Sequence, residues 1–200
     1  MFRNAIAFFS VLGLALYILQ PQNNIPATAA TDYSKPATML ISLDRSSSMY
    51  NSEFPPYLSR EDAAKQITSK FVDKIDFNQD KVGLMLFSDE VQYPAPIGSS
   101  KSTIINQIKS YKHTSGTRIY MALDAAYAAL PKNNTTTRYI IMPTDGKHYD
   151  DPAITADQRD AKTIESATKI KNAGVTIVTI GIADADSKLL DKVASPGLSF

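Results

Sequence analysis

Residues 39–49 read Met-Leu-Ile-Ser-Leu-Asp-Arg-Ser-Ser-Ser-Met. A short run, apolar apart from Ser42, ends abruptly in an aspartate and a string of small hydroxyl side chains. A run this short, without polar alternation, suits a strand buried on both faces of a sheet. Residues 81–87 (KVGLMLF), 138–142 (RYIIM) and 175–180 (VTIVTI) repeat the pattern along the chain. Helical signals lie between them. Ser59-Arg60-Glu61-Asp62 resembles a capping box with Ser59 as N-cap, and Ala64, Ile67, Phe71 and Ile75 then form one stripe. Residues 102–108 read as a short helix, and residues 116–130 as an Ala-rich helix stopped by Pro131. Residues 161–173 read as a helix closed by Gly174, and residues 187–193 begin another. Residues 91–93 read as an edge strand stopped by Pro94 and Pro96. Strands separated by helices of this length predict an α/β domain: a doubly wound, mostly parallel central sheet with helices on both faces.

Right-handed crossovers bring every strand-to-helix loop of such a sheet to one edge, and ligands bind there, beyond the strand carboxyl ends. The first strand is followed by Asp44-Arg45-Ser46-Ser47-Ser48-Met49, and the third central strand by Pro143-Thr144-Asp145-Gly146. Ser115-Gly116-Thr117 precedes the Ala-rich helix. These loops supply two carboxylates and several hydroxyls, with no histidine or cysteine. An oxygen-only set of low charge suits a hard octahedral cation, Mg²⁺ or Mn²⁺, better than Ca²⁺, which takes more carboxylates. Asp44, Ser46 and Ser48 stand at i, i+2 and i+4, a spacing that turns all three side chains to one side of an extended-to-turn loop. Two carboxylates only offset the ion's formal charge, so an open position favours an external anionic oxygen, such as a partner's Asp or Glu.

The D-x-S-x-S of Asp44, Ser46 and Ser48, the Gly116-Thr117 of S-G-T-R-I-Y-M-A-L, and the Thr144-Asp145-Gly146 triplet are similar, in order and spacing, to the von Willebrand factor type A domain. The resemblance covers about residues 37–200 and includes the family's metal-ion-dependent adhesion site. It implies that Ser46, Ser48 and Thr117 contact a metal through hydroxyls, and that Asp44 and Asp145 act directly or through water. It further implies a protein-binding module that offers the metal to a ligand carboxylate. Three departures stand out. Ser47 replaces a frequent glycine, Pro143 falls in an otherwise apolar strand, and the sequence ends at residue 200, where the family usually adds a terminal helix.

Each motif also has a plainer reading. Asp and Ser are common in turns and caps, Asp145-Gly146 alone reads as a turn, and Thr117 alone reads as a helix N-cap. Arg45 is expected to face solvent rather than a partner carboxylate, and His113 to lie at the surface. Tyr50, Phe54 and Tyr57 are either partner contacts or packed loop anchors. His148, Tyr149, Asp150 and Asp151 form either a selective rim or an ordinary solvated loop.

The N-terminus has the pattern of a targeting segment. Residues 5–19 (AIAFFSVLGLALYIL) follow Arg3, and no acidic residue precedes Asp32. The run is short of the ~20 residues that span a bilayer comfortably. Ala27-Thr28-Ala29 allows cleavage of residues 1–30 as a signal peptide, whereas the long spacer over residues 20–26 suits an uncleaved anchor with the domain outside. A buried N-terminal helix is the third reading. Residues 31–36 read as a linker and residues 37–200 as the domain. Either leading reading exports the domain, to a secreted or periplasmic location or to the outer side of a membrane.

Composition narrows the function. Among 200 residues there is no cysteine, which excludes disulfides, thiolate metal sites and a thiol nucleophile. Two histidines argue against a multi-histidine centre, and a net charge of +1 gives no basic field for nucleic acid. No G-x-S-x-G, H-E-x-x-H or P-loop occurs, which argues against an enzyme. The expected function is therefore an exported, metal-dependent protein-binding module of the adhesion or assembly type. A structural envelope subunit with a silent or purely stabilising metal site is the alternative, and a metal-dependent hydrolase is the third class.

Overall fold

The computed structural model of the chain describes residues 36–50, 59–133, 135–147 and 154–200. The leader, most of the linker, Phe54, Tyr57 and residues 148–151 lie outside the described residues.

β1 (Ala37–Asp44) is buried along its whole length. It pairs in parallel with β2 (Lys81–Phe87) on one side and with β4 (Thr137–Thr144) on the other. β5 (Val175–Gly181) extends the sheet in parallel from β4, and β3 (Val91–Ala95) adds an antiparallel edge on β2, for the order β3-β2-β1-β4-β5. Successive β1 side chains point to opposite faces, as the pleat requires. Met39, Ile41 and Leu43 enter a core closed by α1 (Arg60–Asp73) and α2 (Lys101–Ser110). Leu40 enters a second core, with Met85, Phe87, Ile140 and Met142, closed by α3 (Ile119–Ala129), α4 (Ala156–Asn172) and α5 (Ser187–Val193). The helices thus cover both faces, as the alternation of strand and helix signals predicts.

Several boundaries differ from the sequence reading for local reasons. α3 begins at Ile119 rather than residue 116, because Gly116 adopts φ 78° and breaks the helical path. α4 begins five residues before its expected start, at a capping box in which the Thr155 side chain accepts from Gln158 N–H. Ser59 caps α1 as expected, accepting from Asp62 N–H at 3.0 Å. Pro94 lies within β3 rather than ending it, which an edge strand tolerates. Pro143 also lies within its strand. The β1–β4 pairing ends at Ile41–Ile141, whereas β4–β5 runs on to Thr144–Gly181, so Pro143 comes after β4 has parted from β1.

After α5 the chain forms no further helix and returns along β5. Ser195 exchanges hydrogen bonds with Ile177, Thr179 N–H donates to Leu198 O at 3.0 Å, and Phe200 N–H donates to Thr179 O at 3.1 Å. The final residues thereby cover the outer edge of β5.

Leu40 and Ile41 are both fully buried, on opposite faces of β1. Truncating either to alanine is expected to cost about 2–5 kcal/mol, because both faces are close-packed. Urea unfolding of the two variants measures this. A loss from only one of them would mean that the other face is loosely packed.

Candidate metal centre

Asp44 is the last residue of β1 and is fully buried. Its Oδ1 accepts the Ser46 backbone N–H at 2.8 Å, and its Oδ2 accepts the Thr144 hydroxyl at 2.6 Å. One carboxylate thereby joins the loop after β1 to the end of β4. Beyond it the chain tightens into a 3₁₀ turn over Ser47–Tyr50, with Met49 N–H donating to Ser46 O at 3.0 Å. The turn brings the Ser46 and Ser48 hydroxyls to 2.9 Å from each other. Ser47 fits this turn without a left-handed backbone: among the described residues Ala183 is the one non-glycine with positive φ.

Asp145 follows β4 and is also fully buried. Lys147 N–H donates to its Oδ1 at 3.1 Å, and the Arg60 guanidinium donates to its Oδ2 at 3.1 Å. Gly146 N–H donates to the Thr144 hydroxyl, which itself donates to Asp44, so the two acidic loops share one hydrogen-bond chain. Gly146 adopts φ 71°, and a Cβ there would lie 3.2 Å from Leu190 on α5. Glycine at this position allows the loop and α5 to approach closely.

Thr117 is fully buried on the third loop. It is not the N-cap of α3. That position is Arg118, which makes no side-chain cap bond and whose N–H reaches Ser88 O beyond β2 at 2.8 Å. Gly116 is locked both by its positive φ and by space, since a Cβ there would stand 2.5 Å from Asp89 Cβ. Thr114 N–H donates to Arg45 O at 2.8 Å and ties this loop to the D-x-S-x-S loop.

All three motifs therefore meet along the carboxyl edge of the sheet. Asp44, Ser46, Ser48 and Asp145 are joined by hydrogen bonds and charge, and Thr117 lies on the adjoining loop. Among the described residues no three His, Cys, Asp or Glu side chains group together, so any cation here depends on hydroxyls as well as carboxylates. Two buried carboxylates share this edge, and burial is the main reason that the Asp44 carboxyl is pushed up to about 7. The charge of Asp145 raises it further, against the lowering bonds from Thr144 and Ser46. A group in that condition is satisfied by a proton or by a metal ion, and the donor set fits a hard divalent cation.

One sequence expectation is corrected. Arg45 does not face solvent: it is 8% exposed and pairs with Glu90 at 2.6 Å. His113 lies at the surface, as expected, with Nδ1 3.1 Å from Glu61 Oε2 and its ring tilted against Tyr50 at 4.3 Å between centroids. Tyr50 itself is 62% exposed. The sequence reading missed Arg60, because a charged residue beside an N-cap carries no sign of a partner 85 positions away.

The fold and this edge define the class of protein. The profile of the von Willebrand factor type A domain matches residues 39–199, and the chain belongs to that family. Among solved structures it is similar to an aerotolerance-related membrane protein from Bacteroides fragilis carrying multiple mutations to serines. That similarity has a TM-score of 0.62 and 25% identity, covering 73% of this chain and 67% of the other. It shares the fold of the vWF domain of the type V pili tip protein Mfa5 from Porphyromonas gingivalis (TM-score 0.67, 14% identity, covering 83% and 89%). It also shares the fold of proximal thread matrix protein 1 from the mussel byssus with a zinc-occupied MIDAS motif (TM-score 0.66, 20% identity, covering 83% and 41%). Comparison with curated protein sequences finds no match.

Two outcomes are expected. Gly116→Ala should destabilise the domain by about 2 kcal/mol or more, since alanine resists this φ and its methyl meets Asp89; thermal or urea unfolding reads the loss. The second concerns pH. Asp44 holds its proton in the fold up to about 7, whereas the unfolded chain releases it near the ordinary 3.8. Unfolding between those values releases a proton, so stability in EDTA should fall as pH rises from about 4 to about 7. Asp44→Asn should lack this component, and melts of both proteins across that range should diverge. Parallel curves would refute the assignment.

Proposed function

We propose that this chain is an exported protein-binding module of the adhesion or assembly type. It uses a divalent cation, Mg²⁺ or Mn²⁺, to engage a carboxylate of a protein partner. Asp44, Ser46, Ser48, Thr117 and Asp145 hold the ion. The observation that carries the reading is the pair of fully buried carboxylates, Asp44 and Asp145, beside the paired Ser46 and Ser48 hydroxyls at the ligand-binding edge of the sheet. Buried carboxylates are costly, Arg60 offsets the charge of only one of the two, and a bound cation offsets the remainder. When bound, the ion supplies a positive centre for an external anionic oxygen. The chain's own part is to fix Asp44 through Ser46 N–H and the Thr144 hydroxyl, and to fix Asp145 through Lys147 N–H and Arg60.

Family membership supports a binding module rather than an enzyme. The pilus-tip protein, the byssus matrix protein with its zinc-occupied MIDAS motif and the membrane protein among the structural neighbours support adhesion, metal use and export. Residues 1–30 act as the export signal or as the anchor, and the membrane is engaged through that segment alone. Nucleic acid is not a partner, in keeping with the near-neutral charge.

Calorimetric titration of Mg²⁺ and Mn²⁺ into the purified chain tests the metal centre. Saturable binding is expected, with loss of at least about tenfold in affinity in Asp145→Ala or Ser48→Ala. The affinity should tighten about tenfold per pH unit up to pH 7, as the ion displaces one proton. Metal at 100 times Kd should raise stability by about 2.7 kcal/mol. A folded wild type that neither binds nor gains stability would overturn the metal mechanism and favour a structural subunit. Binding that Ser48→Ala leaves unchanged would overturn the ligand assignment.

A further inference from the structure

A buried cation lies against this centre that none of the three motifs contains. Arg60 is the first residue of α1 and is 2% exposed, a degree of burial that arginine tolerates only when paired. Its Nη1 donates to Asp145 Oδ2 at 3.1 Å, and its Nη2 lies 2.6 Å from Asp184 Oδ1. Asp184 is 60% exposed, sits on the loop between β5 and α5, and also pairs with Lys147 Nζ at 2.5 Å. The residue before it, Ala183, adopts φ 60°, a strained backbone that persists only where its surroundings impose it. The same loop returns Asp186 N–H to Asp145 O at 2.9 Å. Asp145 is thus gripped through its side chain by α1 and through its main chain by the β5–α5 loop.

This grip changes the charge of the centre. Two carboxylates alone would cancel a divalent ion. With the Arg60 guanidinium bonded to one of them, and the charge of the exposed Asp184 offset by Lys147, the local sum after metal binding is positive, and it is balanced only when an anionic ligand arrives. The geometry points to Arg60 as the charge-setting positioning residue of the metal centre. Held by Asp184, it fixes the Asp145 carboxylate and withholds part of its charge from the cation, so that the bound ion keeps charge for a carboxylate ligand. The inference rests on the metal reading above and adds a residue and a coupling that the motifs do not contain.

Electron paramagnetic resonance of free Mn²⁺ provides the test, using the full chain, Mn²⁺ alone and Mn²⁺ with excess acetate as the anionic probe. Circular dichroism verifies folding. In Arg60→Gln, Mn²⁺ alone should bind more tightly, on the order of threefold to tenfold, because a nearby positive charge is gone. The extra affinity that acetate confers should shrink. Arg60→Lys should keep the wild-type behaviour. Asp184→Asn should move the other way, to about twofold weaker Mn²⁺ binding, since the exposed carboxylate no longer shares the guanidinium charge. A merely structural role would weaken binding in both Arg60→Gln and Asp184→Asn. A folded Arg60→Gln with unchanged or weaker Mn²⁺ binding overturns the inference while leaving the metal site standing. If Arg60→Gln fails to fold, weaker Mn²⁺ binding by Asp184→Asn together with a larger gain from acetate supports the inference, whereas unchanged or tighter binding, or weaker binding without that larger gain, overturns it. A wild type that binds no Mn²⁺ overturns both.

Discussion

The burial of the Asp44 carboxylate, at the end of the central strand, is the constraint around which the upper edge of the domain is arranged. β1 has neighbours on both sides and helices over both faces, so its last side chain emerges where water is scarce. An acidic group in that position costs several kcal/mol unless its lone pairs are met. Ser46 N–H and the Thr144 hydroxyl meet them, and each draws in the loop to which it belongs. The 3₁₀ turn, the closeness of the two serine hydroxyls and the link from Thr144 to Gly146 follow from this. The same arrangement leaves negative charge in a dry place, which is the state that a cation relieves.

Much of the fold was legible because its strands are short and buried on both sides. A parallel strand with no wet face must be largely apolar, and residues 39–43, 81–87, 138–142 and 175–180 come close to that demand, with Ser42, Lys81, Arg138, Thr176 and Thr179 as the polar exceptions. Helix starts were less legible. The S-G-T of residues 115–117 reads as a helix entry, yet Gly116 adopts a left-handed turn and packs against Asp89, a contact 27 positions away that the local sequence does not announce. The Thr155–Gln158 cap was present in the sequence and was passed over because residues 156–160 carry little apolar signal.

The candidate site divides in the same way. Asp44, Ser46 and Ser48 lie within five residues, so local spacing places them together, and Asp145 follows a strand that must end at the same edge. Arg60 and Arg45 were not legible. Both are charged residues in polar stretches, and each is buried by a pairing across the fold, with Asp145 and with Glu90. Long-range ion pairs leave no periodic trace. Two of the departures are local in the backbone: Ser47 turns without a left-handed conformation, and Pro143 lies where β4 needs no partner from β1.

The edges of the sheet constrain how the domain can be joined to others. On the β3 side, Pro94 interrupts the row of donors that an added strand would use. On the β5 side, residues 195–200 already occupy the hydrogen-bonding groups of Ile177, Thr179 and Gly181. Lateral growth of the sheet, the commonest accidental route by which β-rich proteins polymerise, therefore meets an obstacle at each end. Copies of this domain can therefore be set side by side at high local density without their sheets fusing into one.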